Sequence, residues 1–194
     1  NEPIALEIDS FDNLGNIFSA KRIADFMKSN GRQLGIETVY NDLQFLQDAL
    51  FCYKVPRYDI KGKKLLETME KYYIADQGIR FRLLGYKDSA INGLLENIVF
   101  LELIRRGYQV SIGKIGEYEI DFIAEKEGKK EYYQVCYLLS SEDVKIREYR
   151  SLLQIKDNFP KTILSLDELP DSFEEGILRK NLRQWLLECL EKNV

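Results

Sequence analysis

The sequence predicts an α+β protein: an N-terminal winged helix-turn-helix over residues 1–88, then an α-β-β-β-α-β core over residues 89–194. Three observations predict it. Two short helical patterns run into a basic, alternating segment that turns at Lys61-Gly62-Lys63. A helix closed by Gly107 leads into three strand-like segments separated by glycine-containing turns. The chain ends on Leu178, Leu182, Trp185, Leu186 and Leu190 at helical spacing.

Ser19 reads as the N-cap of a first helix that runs to Ser29, with Ile23, Phe26 and Met27 on one face and Asn30-Gly31 as its stop. A second helix follows from Ile36 to about Leu50, its apolar face being Val39, Leu43, Leu46 and Leu50. Phe51 to Ile60 alternates as a strand, and Lys71 to Ala75 reads as the return strand of a hairpin. Two helices followed by a basic hairpin make a winged helix. The domain boundary falls near Leu84 to Asn92, and the second part opens on a helix from Ala90 to Arg106. Strands at Tyr108 to Ile112, Tyr118 to Ala124 and Glu131 to Tyr137 come next, then a helix from Ser141 to Asp157 and a strand from Thr162 to Leu166. A helix from Phe173 to Leu190 covers the core.

Composition narrows the chemistry. With 45% hydrophobic and 31% charged residues the chain is an ordinary globule rather than a disordered or fibrous one. Histidine is absent, which excludes imidazole acid–base work, His-based triads and His zinc ligation. Catalysis, if present, rests on carboxylates and a metal. Cys52, Cys136 and Cys189 are far apart and odd in number, which argues against a disulfide framework and for a reducing cytoplasm. No run of 18 apolar residues suggests a membrane span, and Asn1-Glu2-Pro3 does not begin like a secretory signal. A first residue other than Met suggests processing or an excerpt from a longer chain.

The net charge of −4 falls in the second half, so neither half is a basic nucleic-acid module by charge alone. Locally, Lys54, Arg57, Lys61, Lys63 and Lys64 surround a single Asp59. Such a strip can meet phosphates, or it can be a solvated strand edge where lysines discourage edge-to-edge pairing. The second helix carries Glu37, Asp42 and Asp48 with no Lys or Arg before Lys54, so base readout from it is poorly equipped.

Carboxylates gather in the second part. A two-residue loop at Glu127-Gly128 sets Asp121 opposite Gln134 and Glu119 opposite Cys136, all four on one face. Tyr118, Ile120, Phe122, Tyr133, Val135 and Tyr137 form the other, core face. Two acids two residues apart on a strand repel, and a cation or divalent metal relieves that repulsion. Glu96 adds a third acid, on a largely apolar helix where it needs a partner; an arginine would serve as well as a metal.

A helix acid, then Ile120-Asp121, then a strand partner thirteen residues later, within αβββαβ, resembles the PD-(D/E)XK nuclease core of restriction and Holliday-junction-cleaving enzymes. Lys54-Val-Pro-Arg-Tyr-Asp-Ile-Lys-Gly-Lys-Lys64, Tyr73-Ile-Ala-Asp-Gln-Gly-Ile-Arg80, Leu95-Glu-Asn97, Gln134-Val-Cys-Tyr137 and Ile155-Lys-Asp-Asn-Phe-Pro-Lys161 resemble the C-terminal region of a family of prokaryotic AAA-type ATPases. That resemblance covers nearly the whole chain. It implies a restriction-endonuclease-like core behind a winged helix, with an N-terminal P-loop ATPase domain in the parent polypeptide. No GxxxxGK[ST] occurs here, so ATP belongs to that absent domain.

The nuclease resemblance implies roles position by position. Glu96 matches the helix acid, Asp121 the metal-binding aspartate and Gln134 the third-strand acid, while Val135 lends its backbone carbonyl to Mg or Mn. Cys136 stands where the pattern has a lysine, and Gln134 replaces an anionic ligand with a neutral one. Loss of one stabiliser of developing charge costs about 2.7–4 kcal/mol in analogous sites. Lys156 on the next helix is a candidate replacement for the lysine, and Glu119 for the missing acid. The implied function is therefore DNA or partner binding by a degenerate nuclease-like domain coupled to an ATPase. A Mg- or Mn-dependent endonuclease and a protein-interaction module are the alternatives.

Overall fold

The computed structural model describes residues 25, 28–29, 31, 35–84, 91–139 and 141–191. The helix expected from Ser19 to Ser29 lies largely outside these residues. The second expected helix is present as α1 (Ile36–Asp48), with Val39 and Leu43 buried. Leu50 does not continue its apolar face. It lies beyond the helix end at φ 55°, 72% exposed, and Phe51 N–H closes the turn on the Leu46 carbonyl.

The basic hairpin is β1 (Cys52–Asp59) and β2 (Lys64–Ile74). A helix not expected from the sequence, α2 (Gln77–Leu84), follows; the Asp76 carboxylate caps it by accepting from the Gly78 and Ile79 N–H groups. The remaining elements are α3 (Ile91–Arg105), β3 (Gln109–Ile115), β4 (Tyr118–Lys126), β5 (Lys129–Val135), α4 (Glu142–Leu153), β6 (Lys161–Ser165), β7 (Ser172–Glu174), β8 (Ile177–Asn181) and α5 (Leu182–Glu191). The fold is mixed α/β, as expected.

Among the described residues, all the strands join one sheet in the order β2-β1-β3-β4-β5-β6-β8-β7. The hairpin from the first part is thus an edge of the sheet of the second. β1 runs parallel to β3, with Arg57 opposite Ile112, Tyr58 opposite Gly113 and Asp59 opposite Lys114. An isolated hairpin is marginal in water, and β3 gives it the third strand it needs. Division near residue 88 therefore separates segments of sequence but not of hydrogen bonding.

Alternate residues of β5, with Cys136 just past its end, show the two faces. Tyr133 and Val135 pack with Leu95, Val99, Phe100 and Leu103 of α3 and Leu182 and Trp185 of α5. Tyr132 and Cys136 pack with Tyr149 and Leu152 of α4. The sheet is sandwiched between helices, and aromatic stacking of Tyr73 on Phe100, with ring centroids 4.6 Å apart, binds β2 into the α3 side.

The stretch read as one helix from Phe173 to Leu190 divides. Glu175 (φ 53°) and Gly176 (φ 80°) make a two-residue turn with both φ positive, so Ser172–Asn181 forms the β7–β8 hairpin and β8 pairs parallel with β6. The helix starts only after Asn181, whose side-chain oxygen accepts from the Arg183 and Gln184 N–H groups. Sheet extension and this cap override the helical spacing of Leu178 with Leu182.

Candidate functional site

The turn at Glu127-Gly128 is as the sequence predicts, with Phe122 opposite Tyr133 and Lys126 opposite Lys129. The expected four-residue polar face does not form, however. Against β3, Gly113 is opposite Ile120 and Ser111 opposite Ile123, so β4 carries one extra residue between those pairs. This bulge breaks the strict alternation. Ile120 packs on the α4 side and Phe122 on the α3 side, although an unbroken strand would place both on one face. Gln134 accepts at 3.4 Å from the Ser151 hydroxyl of α4, and Cys136 is buried beside Tyr149 and Leu152.

Glu119 turns to the hairpin. Its carboxylate pairs with the Arg57 guanidinium of β1 and, at 2.8 Å, with the Lys71 ammonium of β2. Lys71 also reaches Glu96 of α3 at 3.2 Å, and the Tyr73 hydroxyl donates to the same Glu96 oxygen at 3.4 Å. Asp121 accepts from the Val135 N–H at 2.8 Å. The contact between Val135 and Asp121 thus runs through the Val135 N–H, whereas the nuclease resemblance implies a role for its carbonyl. The cluster brings Glu96, Glu119 and Asp121 together with two cations that are almost wholly enclosed: Arg57 is 5% and Lys71 3% exposed.

Local sequence explains this convergence. Pro56 has no N–H, and the β1–β2 ladder is interrupted there: Val55 is opposite Lys71 but Arg57 is opposite Leu66. Beyond the interruption, Asn97 ties α3 to β2, donating to the Ile74 carbonyl and accepting from its N–H, both at 2.9 Å. That contact fixes Glu96, one position earlier, against Lys71.

Burial pushes the Asp121 carboxyl well above the ordinary carboxylate range, and Glu96 adds to the rise; Lys71 and the Val135 N–H pull the other way. Glu96 is raised too, by burial, against the pull of Lys71. Burial opposes the charge on Lys71, but Glu96, Asp121 and Glu119 outweigh it and raise the ammonium above its usual value. The Cys136 thiol is pushed up by burial, so it is a packed side chain and no ready nucleophile.

The other expected site residues are dispersed. Lys156 lies past the end of α4, exposed, donating at 3.1 Å to the Leu153 carbonyl, so it finishes a helix rather than leaning over the carboxylates. The basic strip divides: Arg57 is buried on Glu119, Lys54 pairs with buried Glu70 at 3.2 Å, and Lys61, Lys63 and Lys64 remain exposed at the hairpin tip. On the α4 side Glu148 is buried and accepts from Arg147 at 2.7 and 2.9 Å. The sequence reading missed Lys71 and Tyr73. Alternation does not single them out, because Tyr72 and Tyr73 are both buried and the strand is covered on both faces.

The residues fit a divalent metal poorly. Glu119 is engaged by two cations and Glu96 by one, while Gln134 is bonded on the α4 side. Among the described residues, no group of three or more acid, thiol or imidazole side chains is arranged to hold a metal ion. No helix among them is long and apolar enough to cross a membrane.

No family model and no solved structure matches the chain. It is similar to an uncharacterized protein of Haemophilus influenzae, 36% identical over 177 residues that cover 91% of this chain and 44% of the relative. An uncharacterized protein of Methanocaldococcus jannaschii is 34% identical over 140 residues, 70% of this chain and 30% of the relative. The chain thus spans less than half the length of either relative.

Proposed function

We propose that this chain is the DNA-docking C-terminal region of a cytoplasmic AAA-type ATPase, in which a winged helix and a nuclease-like core bind without cutting. The observation that carries the reading is the division of the residues a nuclease would use. Glu96 and Glu119 meet on the α3 side around Lys71, whereas Gln134 and Cys136 pack against α4. No lysine from the third strand reaches the carboxylates, and developing charge on a phosphate would lack that stabiliser. Relatives more than twice as long as the matched stretch leave room for an ATPase domain, where ATP would bind. The buried free thiols of Cys52 and Cys136 suit a reducing compartment.

DNA contact rests on Lys61, Lys63 and Lys64, exposed together at the tip of the β1–β2 hairpin. The test is cleavage of supercoiled and branched DNA in Mg²⁺ and then Mn²⁺, beside Asp121→Ala, with a salt titration of binding. Inert protein whose affinity falls with salt, and whose slope drops by about 1 per neutralised tip lysine, supports the reading. Cleavage lost in Asp121→Ala would instead make this a metal-dependent endonuclease. Inert protein without salt-dependent affinity would make it a protein-interaction module.

A further inference from the structure

We propose that the Lys71 ammonium is the resident cation of the Glu96–Glu119 pair, a side chain of the hairpin holding the position that a divalent metal would take and so excluding it. The inference rests on the reading of a non-cutting domain and names what keeps its carboxylates closed.

Geometry supplies the first argument. One Nζ lies 3.2 Å from Glu96 and 2.8 Å from Glu119, bridging carboxylates from a helix and a strand as a bound ion would. An ammonium offers three donors and no acceptor, so it satisfies two carboxylate oxygens without needing water. Lys71 cannot swing aside freely. It is 3% exposed, and Asn97 holds the strand three residues on through two bonds to Ile74.

Charge supplies the second. When all three are ionised, Glu96, Glu119 and Asp121 bring three negative charges, against two positive ones from Lys71 and Arg57. A divalent ion added to this set would leave an excess of one positive charge in an enclosed space, and the ion would also sit against two cations. With a neutral residue at position 71, the same ion and Arg57 would balance the three carboxylates. Glu148 of α4, whose charge also bears on Asp121, is already paired with Arg147 and does not alter the count. Magnesium and manganese commonly use one or two carboxylates with water completing the shell, which Glu96 and Glu119 would then supply. A tethered ammonium, present at high effective concentration, excludes the free ion.

The experiment compares wild type with Lys71→Met, a neutral side chain of similar length, by calorimetric titration with MnCl₂ and by thermal unfolding with and without Mn²⁺. Wild type should show neither saturable binding at this site nor a shift in unfolding midpoint. Lys71→Met should bind Mn²⁺ and gain about 4 °C or more in midpoint at a hundredfold excess over Kd, with both effects lost on adding Glu96→Gln. Saturable wild-type binding abolished by Glu96→Gln, or a folded Lys71→Met that binds no Mn²⁺, would overturn the proposal. Should Lys71→Met fail to fold, the wild type still decides the matter: the Lys71 side-chain ammonium resonance should remain sharp in Mn²⁺, and paramagnetic broadening of it would refute the inference. DNA cleavage by the wild type would overturn the non-cutting function, a result separable from any of these.

Discussion

The side-chain amide of Asn97 exchanges two hydrogen bonds of 2.9 Å with the backbone of Ile74, acting toward β2 as a neighbouring strand would. β2 is the outermost strand at its end of the sheet, and an uncovered edge invites pairing with another chain. Asn97→Ala leaves a buried N–H and carbonyl unsatisfied. It should cost about 2–4 kcal/mol of unfolding free energy, measured by urea denaturation, and should increase amide exchange across Tyr72 to Ile74 before other strands.

Asp121 and Glu96 make stability depend on pH in a defined direction. A carboxyl whose pKa is raised by folding binds its proton more tightly in the native state. Its contribution is complete below the unfolded-state value of about 3.9–4.3 and is lost as pH rises through the native value. Asp121→Asn keeps an acceptor for the Val135 N–H and leaves two carboxylates against two cations. The variant should be more stable than wild type at pH 8 by about 1–3 kcal/mol, with a flatter pH profile; thermal unfolding from pH 4 to 9 would show it.

Gly113 sits where the β4 bulge crowds β3. A Cβ there would lie 2.8 Å from the Ile120 Cβ and 3.2 Å from the Ile123 Cδ1, and the Ile120 atom cannot swing away. Gly113→Ala should therefore destabilise by about 1–3 kcal/mol, and the shift it forces should disturb Asp121 next to Ile120. Denaturant melts and the amide shift of Val135 would report the two effects.

Leu50 holds a left-handed conformation in solvent, 72% exposed at φ 55°, where glycine is unstrained. Leu50→Gly should stabilise by about 0.5–1 kcal/mol, seen as a raised unfolding midpoint with an unchanged m-value. A loss of stability would show that the leucine makes a contact worth more than the strain.

Much of the order of elements was legible because it follows from local rules. Gly107, at φ 82°, ends α3 where the sequence places a stop, and Glu127-Gly128 makes the expected hairpin turn. Ser141 caps α4, its hydroxyl accepting from the Val144 N–H. What escaped was non-local. The spacing of Leu178 with Leu182 is helical on its own, yet β6 offers β8 a ladder that a helix could not use.

The sequence by itself brought Glu96, Glu119 and Asp121 forward as candidates and placed them roughly, since composition removes histidine and strand alternation puts Glu119 and Asp121 on one face. Tertiary structure alone decided what faces them. Strict alternation predicts Glu119, Asp121, Gln134 and Cys136 together, but one extra residue in β4 and the break at Pro56 redirect side chains by a full face. Parallel pairing of β1 with β3 then brings Arg57 and Lys71 onto carboxylates far along the chain. Such partners cannot be read from periodicity, because charge pairing depends on distance in space, and distance in space is set by register and packing.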